Sequence, residues 1–226
     1  KPIAMFDMDG TLLDLAFDDF IWNECLPERH AQVHQCTLEQ SKQTLFQFYQ
    51  QHKHTLSWYS SAYWTTKVGV DVLQLQYEHR NKIKARSGCF ELLEQLKQKG
   101  YRCWLLTNAD KAGLQLKLEN VALSPYFELM ISSEELGYAK EDVSFWRELQ
   151  QLHPFDPTKA IFIDDTVAVL KGAESFGISK LFSIVQPSSS KAARNSNELP
   201  YPALDELTDL FDCLETHLQV TDAKTA

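Results

Sequence analysis

Two pairs of aspartates are the residues of this chain whose spacing best suits chemistry. Asp7 and Asp9 stand one residue apart behind the apolar run Ile3–Phe6, and Asp164 and Asp165 are adjacent behind a second apolar run. Short continuous apolar runs are typical of buried strands. Most Asp-x-Asp pairs are turn or cap residues, but a cap needs one acid and this turn has two. Paired carboxylates repel each other unless a cation or proton separates them, so we predict a site for Mg²⁺, which prefers oxygen ligands.

Three other polar residues follow predicted strands. Thr107 and Asn108 end one apolar run just ahead of a helix, where a hydroxyl, an amide and free helix N–H groups suit a phosphate oxygen. Taken alone, these two residues are better explained as an N-cap, and Lys140 is better explained as a surface lysine. No Lys, Arg or His lies between Pro2 and Arg29, so neutralising charge for the first acid pair must come from elsewhere.

The elements that must position these residues alternate between strands and helices. The predicted strands are Ile3 to Phe6, Arg102 to Thr107, Glu128 to Ile131, Ala160 to Ile163, and Lys180 to Val185. The predicted helices between them are Cys89 to Lys99, Asp110 to Asn120, Glu141 to Leu152, and Thr166 to Phe176. This alternation indicates an α/β fold with a Rossmann-like parallel sheet and a reversal of strand order beside the first strand. Ligands in such sheets bind beyond the carboxyl ends of the strands, where the polar residues fall.

Residues 15–86 have a different pattern and interrupt this alternation. Helical spacing predicts four helices, at Asp18 to Cys25, Thr37 to His52, Leu56 to Val68, and Asp71 to Ala85. We therefore predict an inserted four-helix bundle at 15–86 and an α/β core made of residues 1–14 and 87–226. Further along the chain, Pro187 to Pro202 is predicted to be a surface loop, and Tyr201 to Leu218 a terminal helix.

The predicted insert is rich in aromatic residues, and most of them are expected to form its core. Trp58, Tyr59, Tyr63 and Trp64 are too closely spaced to face one stripe of a helix. We therefore expect one or two of them to face the active site and to stack on a planar substrate.

Composition limits the classes of function. Lys plus Arg number 22 and Asp plus Glu 31, and the net charge of −9 does not favour binding to a nucleic acid polymer. Five scattered cysteines indicate reduced thiols, no run has the length of a membrane span, and no secretory leader is visible, so we expect a cytoplasmic location. His30 and His34 have a spacing that suits a metal, but a polar helix face explains them better.

The order of these motifs resembles a known family. Asp-x-Asp-Gly-Thr, Thr-Asn, Lys and Asp-Asp, each after a strand, are similar to the four motifs of the haloacid dehalogenase-like (HAD) phosphohydrolases. The helical insert stands where that family has its C1 cap. Longer runs resemble the bacterial GMP/IMP-type 5'-nucleotidases of this superfamily: FDMDGTLLDLAFDDFIW, HTLSWYSSAYW, LLTNAD, LGYAKED and IFIDDT.

The resemblance implies roles for the acids. Asp7 corresponds to the nucleophile that forms an aspartyl-phosphate, and Asp9 to the general acid that later serves as the base. The carboxylates of Asp7 and Asp165 and the main-chain carbonyl of Asp9 would hold Mg²⁺, with Asp164 in or near that shell.

The same resemblance assigns the remaining site residues. Thr107 and Asn108 would bind phosphoryl oxygens, and Lys140 would offset the negative charge of Asp7 and the transferring group. P-type ATPase relatives carry Thr in place of Asp9, and the dehalogenase branch also lacks this second acid. Its presence therefore favours a phosphatase or a phosphomutase.

The expected reaction is Mg²⁺-dependent hydrolysis of a purine nucleoside 5'-monophosphate such as GMP or IMP. Three alternatives stay open: a phosphatase for another small ester such as a sugar phosphate or phosphoglycolate, a phosphomutase, and a non-enzymatic binding module. The complete set of site acids and lysine speaks against the last. The expected partner is a small phosphorylated metabolite and neither a nucleic acid polymer nor a membrane.

Overall fold

A parallel sheet forms the centre of the computed structural model, which describes residues 1–216. Its strands are β1 Ile3–Phe6, β2 Arg102–Thr107, β3 Leu129–Ser132, β4 Ala160–Ile163, β5 Lys180–Ile184 and β6 Ala203–Leu204. The strand order is β3-β2-β1-β4-β5-β6, so the chain moves outward in opposite directions on the two sides of β1. This confirms the predicted α/β fold and the reversal of strand order beside the first strand.

Helices dominate the chain between β1 and residue 86, which we call the helical insert (residues 15–86). Its elements are α1 Ala16–Phe20, a π-helical turn Ile21–Cys25, α2 Leu26–His34, α3 Leu38–His52, a 3-10 turn Leu56–Tyr59, α4 Ser61–Val68, α5 Val72–Glu78 and a 3-10 turn Arg80–Lys82. The predicted capping box at Thr37 is present.

Three of the helix bounds predicted for the insert are wrong. The first helical run continues past Cys25 to His34, because Pro27 falls in the first turn of α2, where its missing N–H is tolerated. The predicted helix from Leu56 to Val68 is broken at Ser60, whose Oγ accepts a hydrogen bond from Tyr63 N–H and caps α4. The predicted helix that begins at Asp71 ends at Glu78 and continues only as a 3-10 turn.

The aromatic residues of the insert pack around one tryptophan. Trp64 is 1% exposed, and the rings of Trp22, Tyr49, Trp58 and Tyr63 each meet it edge to face at 5.5–5.8 Å between centroids. Such edge-to-face pairs add favourable quadrupole contacts to the burial of apolar area. Most of the aromatic residues therefore form the core of the insert, as predicted.

His30 and His34 are structural residues of this bundle. His30 is 5% exposed and its Nδ1 lies 2.9 Å from Ser41 Oγ, while His34 Nε2 donates to the carbonyl oxygen of Val68 at 2.7 Å. The prediction of a polar helix face is therefore wrong for His30, which is buried against a hydrogen-bond partner.

The remaining helices cover both faces of the sheet. They are α6 Cys89–Gln98, α7 Lys111–Asn120, the short α8 Ser133–Leu136, α9 Val143–Leu152 and α10 Val167–Phe176. Ala4 and Phe6 of β1 belong to the apolar cluster that includes α6 and α7, whereas Ile3 and Met5 belong to the cluster that includes α9 and α10. Alternate residues of β1 thus point to opposite faces, and both faces are covered.

The C-terminal part differs from the prediction. Residues of the predicted helix Tyr201 to Leu218 form β6, which pairs with β5, and then a 3-10 turn Leu207–Asp209. Among the described residues of this segment, only 210–216 are α-helical. Residues 217 and 218 of that predicted helix lie outside the described residues. The strand pairs the outer edge of β5, whose backbone groups a helix would not satisfy.

Candidate active site

Three carboxylates converge where β1 and β4 end. The two strands are parallel neighbours with Phe6 opposite Ile163, so the residues that follow emerge side by side. One oxygen from each of Asp7, Asp164 and Asp165 lies within 4.8 Å of the others. Three of the four predicted acids therefore share one location, which has the oxygen donors of a divalent-cation site, whereas the side chain of Asp9 is not part of this group.

Gly10 makes room for this cluster. Its φ of +92° is in the range that favours glycine, and a Cβ at this position would stand 2.8 Å from Cγ of Asp165. The glycine of the first motif is therefore required both by the turn and by the carboxylate of the fourth motif.

The carboxylates are short of positive charge. Burial raises the pKa of Asp7 well above its usual range, although Lys140 opposes this, and burial also raises the pKa of Asp164. Burial and the neighbouring Asp164 carboxylate raise the pKa of Asp165 to about 7. A divalent cation would supply the missing charge, so the donor set and its electrostatics fit a metal.

Lys140 is buried in this cluster and is not an ordinary surface lysine. Its Nζ donates to Asp7 Oδ1 at 2.6 Å, to Asp164 Oδ2 at 2.7 Å and to the carbonyl oxygen of Leu106 at 2.9 Å, and the residue is 1% exposed. Burial alone would lower the pKa of Lys140, but the carboxylates of Asp164 and Asp7 outweigh it and raise this pKa. The ammonium therefore stays charged beside Asp7.

Thr107 and Asn108 lie beside the cluster at the end of β2. Thr107 Oγ1 accepts a hydrogen bond from Ala109 N–H at 3.0 Å, which leaves its own O–H to donate. Asn108 Oδ1 accepts from the backbone N–H of Lys140, and its Nδ2 donates to Glu141 Oε2, each at 2.9 Å. An amide nitrogen has two N–H groups, so one is left for a phosphoryl oxygen.

A cavity of about 940 Å³ lies between this edge of the sheet and the helical insert. It is lined by all the predicted site residues, namely Asp7, Asp9, Thr107, Asn108, Lys140, Asp164 and Asp165. Of the four aromatic residues considered above, Trp58, Tyr59 and Trp64 line this cavity, whereas Tyr63 lines a smaller neighbouring one. Aromatic surface and a cluster of charged groups therefore face the same space, as in many small-molecule sites.

Asp9 has a partner that the sequence prediction missed. Its Oδ1 lies 2.5 Å from Nζ of Lys117, which also lies 2.9 Å from Oδ2 of Asp18 in the insert. Burial and the nearby Asp9 carboxylate raise the pKa of Asp18 to about 7, and Lys117 opposes the shift. The sequence held a signal only for the burial of Lys117, which stands three residues after Leu114 on the buried stripe of α7, and none for its partners.

Two further polar residues form hydrogen bonds between other segments and the carboxylate cluster, and the sequence analysis did not predict either of them. Glu141 accepts from Asn108 and, through Oε1, from the hydroxyl of Tyr59 in the insert. Arg194 donates to the main-chain carbonyl oxygen of Asp165 at 2.8 Å, so the predicted surface loop contributes a half-buried residue beside the carboxylates. The position of Glu141 directly after Lys140 was the only signal for either residue.

The family model of the haloacid dehalogenase-like hydrolases matches residues 2–177 of this sequence. The chain belongs to this family. The HAD-family assignment agrees with the expectation drawn from the four motifs, and it makes the protein a hydrolase.

Two of the curated relatives are named as nucleotidases. The chain is 33% identical over 211 residues to the GMP/IMP nucleotidase YrfG of Escherichia coli, covering 93% of this chain and 94% of the relative. It is 28% identical over 134 residues to the pyrimidine 5'-nucleotidase PynA of Streptococcus pneumoniae, covering 58% of this chain and 55% of that protein. The protein is therefore a phosphoric monoester hydrolase that acts on a small phosphorylated substrate.

Solved structures agree with the fold. A HAD phosphatase from Thermococcus onnurineus superposes with a TM-score of 0.78 at 18% identity, covering 95% of this chain and 98% of that one.

Among the residues that the structure describes, no helix has the length and apolar content needed to cross a membrane.

Proposed function

We propose that this HAD hydrolase cleaves purine nucleoside 5'-monophosphates through an aspartyl-phosphate intermediate. The observation that carries the proposal is the contact of Lys140 Nζ with Asp7 Oδ1, beside two more carboxylates and at the edge of an aromatic-lined cavity. This geometry suits attack on an anionic ester, because a phosphoryl transition state is stabilised mainly by fixed positive charge and by positioning.

The nucleophile of the proposed reaction is Asp7. Lys140 holds its Oδ1, so Oδ2 is the oxygen that attacks phosphorus while the ester P–O bond breaks. Asp9 gives its proton to the departing alkoxide and then takes a proton from the water that hydrolyses the acyl phosphate. Thr107 and Asn108 hold phosphoryl oxygens through the hydroxyl and the second amide N–H.

We propose Mg²⁺ as the cation. The converging carboxylates of Asp7 and Asp165, with Asp164 nearby, would hold it. The resemblance to the HAD family adds the main-chain carbonyl of Asp9 to this set. When bound, Mg²⁺ would neutralise charge on the phosphoryl group and orient it. Without that charge, the buried carboxylates would repel an anionic ester.

The substrate assignment rests on two observations. The relative that matches almost the whole chain is named a GMP/IMP nucleotidase. The cavity also offers the indole of Trp58, which is half-buried and stands among the residues that line it. A purine base has a π-face that stacks on aromatic side chains, which a sugar phosphate lacks.

We further propose that residues 15–86 are the C1 cap and that residues 1–14 together with those from 87 onward are the catalytic core. The proposal is supported by the placement of the insert over the carboxyl ends of the strands, where it walls the cavity. A cap in this place excludes water and selects the substrate. The five cysteines are free thiols, which favours a reducing compartment, and we propose the cytoplasm.

The test is phosphate release from a panel of GMP, IMP, AMP, a pyrimidine mononucleotide, a sugar phosphate and phosphoglycolate, with Mg²⁺ and with EDTA. We expect turnover only with the metal, and the highest kcat/KM on GMP or IMP. Highest turnover on a sugar phosphate or on phosphoglycolate would refute the nucleotide assignment. Isomerisation of a sugar phosphate without phosphate release would identify a phosphomutase.

The nucleophile is tested by Asp7→Asn, which removes the attacking oxygen and keeps the shape. We expect kcat to fall by a factor on the order of 10³ or more, with the melting transition retained. Asp156→Asn is the matched control, because Asp156 is exposed and is not among the residues that line the cavity. Appreciable turnover by the Asp7 variant would exclude the assigned nucleophile.

A further inference from the structure

Lys117 is a buried cation that the reaction outlined above does not use. It lies on α7, is 3% exposed, and its Nζ contacts carboxylates of two different parts of the protein. Asp9 belongs to the turn after β1, and Asp18 belongs to α1 of the helical insert. The same Nζ stands 4.9 Å from the ring centroid of Phe17.

A charge in this position is expensive to bury. Its Nζ lies between the carboxylates of Asp9 and Asp18, which supply the opposite charge that a buried ammonium needs. Removing water from an ammonium is unfavourable, and the two ion pairs only partly offset that cost. A purely structural role would be filled at lower cost by a leucine, which is what α7 carries at 114 and 116.

Lys117 contacts one of the two carboxylate oxygens of Asp9. Lys117 engages Oδ1 of Asp9 at 2.5 Å, while the Asp9 side chain is 20% exposed and lines the cavity. Lys117 itself stands outside the lining, whereas Asp9 and Asp18 are both part of it. Oδ1 of Asp9 is therefore held by Lys117 on the side away from the cavity, and Oδ2 is left to contact the substrate.

We propose that Lys117 is a positioning residue that orients Asp9 toward the oxygen of the leaving alcohol, and that Asp18 of the insert holds Lys117 in place. This inference rests on the proposed role of Asp9 in phosphoester cleavage. An acid that delivers a proton must lie within hydrogen-bond reach of its acceptor, and a carboxyl free to rotate spends less time there. Because Asp18 comes from the insert, the orientation of the acid depends on the insert being in place.

The choice of leaving group separates this role from a structural one. Protonation assists the departure of a poor leaving group, such as the 5'-alkoxide of a nucleotide, whereas p-nitrophenolate departs without a proton. A residue that orients the acid therefore matters for the first ester and not for the second. A residue that only stabilises the fold affects both esters equally.

The experiment measures kcat/KM of Lys117→Met on the wild type's preferred alkyl phosphate and on p-nitrophenyl phosphate. We expect a loss of about 10- to 100-fold on the alkyl ester, within the usual contribution of a general acid, and a loss below about 3-fold on the aryl ester. Lys111→Met, an exposed lysine at the start of the same helix, is the matched control and should leave both values unchanged.

Lys117→Arg and Asp18→Asn keep the inference testable if Lys117→Met does not fold. Arginine retains the charge but moves it, so we expect a smaller loss that is again confined to the alkyl ester. Asp18→Asn removes the ion pair that holds Lys117, and we again expect kcat/KM to fall on the alkyl ester and not on the aryl ester. Equal losses on both esters, or no loss on either, would overturn the inference. Absence of turnover of every ester by the wild type would instead refute the proposed function, together with this inference.

Discussion

At the scale of single residues, two aspartates of one motif are distinguished by the lysines that reach them. Asp7 pairs with Lys140 and shares its surroundings with two more carboxylates. Asp9, two residues later, pairs with Lys117 instead. A nucleophile needs its charge offset beside the phosphorus, and an acid needs a fixed direction, so the partners match the two proposed tasks.

Trp58 is the residue whose replacement tests recognition of the base. Trp58→Ala should raise KM for GMP or IMP by about 5- to 160-fold, because stacking on an aromatic side chain contributes about 1–3 kcal/mol per base. KM for ribose 5-phosphate, which lacks a base, should not change where that ester is turned over. Steady-state kinetics on both esters provide the measurement.

Tyr63→Ala supplies the matched control, since Tyr63 packs against the same Trp64 but lines the smaller cavity. It should lower the melting temperature and leave KM for the nucleotide unchanged. Trp64→Ala is less informative, because Trp64 is 1% exposed and its loss would unpack the insert. An unchanged nucleotide KM in Trp58→Ala would argue against stacking on this indole.

At the scale of elements, close approach of segments assembles the site. Gly172 of α10 allows the helix to pack on the segment that carries Lys140, since a Cβ there would lie 2.7 Å from the carbonyl oxygens of Lys140 and Glu141. The parallel register of β1 and β4 brings the first and fourth motifs together. Glu141 links the insert to the sheet, because its carboxylate accepts hydrogen bonds from both Tyr59 and Asn108.

The Glu141 link predicts different effects for two tyrosines of the insert. Tyr59→Phe removes a hydrogen bond to a charged acceptor, a class of interaction worth about 1.5–3 kcal/mol, and it should raise KM several-fold because the insert closes less firmly over the substrate. Tyr63→Phe removes a bond to His52, which lies wholly within the insert, so it should lower the melting temperature without changing KM.

The measurements are KM and the melting temperature of the two variants on the same substrate. If both tyrosine variants shift KM alike, the link through Glu141 has no special part in closure. If only the melting temperatures change, Glu141 serves the stability of the fold alone.

At the scale of the whole molecule, the raised pKa values of the carboxylate cluster couple stability to pH. The pKa of Asp165 is about 7 in the folded protein against an ordinary value of 3.8. The folded, metal-free protein therefore binds more protons than the unfolded chain between these values. The contribution of this extra proton to the stability of the fold is fully present below pH 3.8 and is lost as the pH rises through about 7.

Above about pH 7, where the carboxylates have lost their protons, a divalent cation should neutralise their charge instead. We expect Mg²⁺ to raise the melting temperature more at about pH 7.5 than at about pH 5.5, because metal and protons compete for the same carboxylates. Thermal denaturation at both pH values with Mg²⁺ or EDTA is the measurement. Asp165→Asn should reduce the metal effect at the higher pH, and an equal effect of Mg²⁺ at both pH values would contradict the prediction.

The sequence by itself determined the local features, because they depend on near neighbours along the chain. Apolar runs and helical spacing predicted β1, β2, β4 and most of the helices, and the four motifs predicted the acids of the cluster together with Lys140. The C-terminal segment was mispredicted, since whether residues 203 and 204 form a strand depends on the free edge of β5, which is distant in sequence.

Only the tertiary structure decided the partners of Lys117 and Glu141. Lys117 is separated from Asp9 by 108 positions and from Asp18 by 99, and Glu141 from Tyr59 by 82. No local pattern specifies such contacts, because each arises from the packing of α7, the insert and the sheet against one another. The physical reason is that burial and distance control a charge interaction, and both are properties of the folded arrangement.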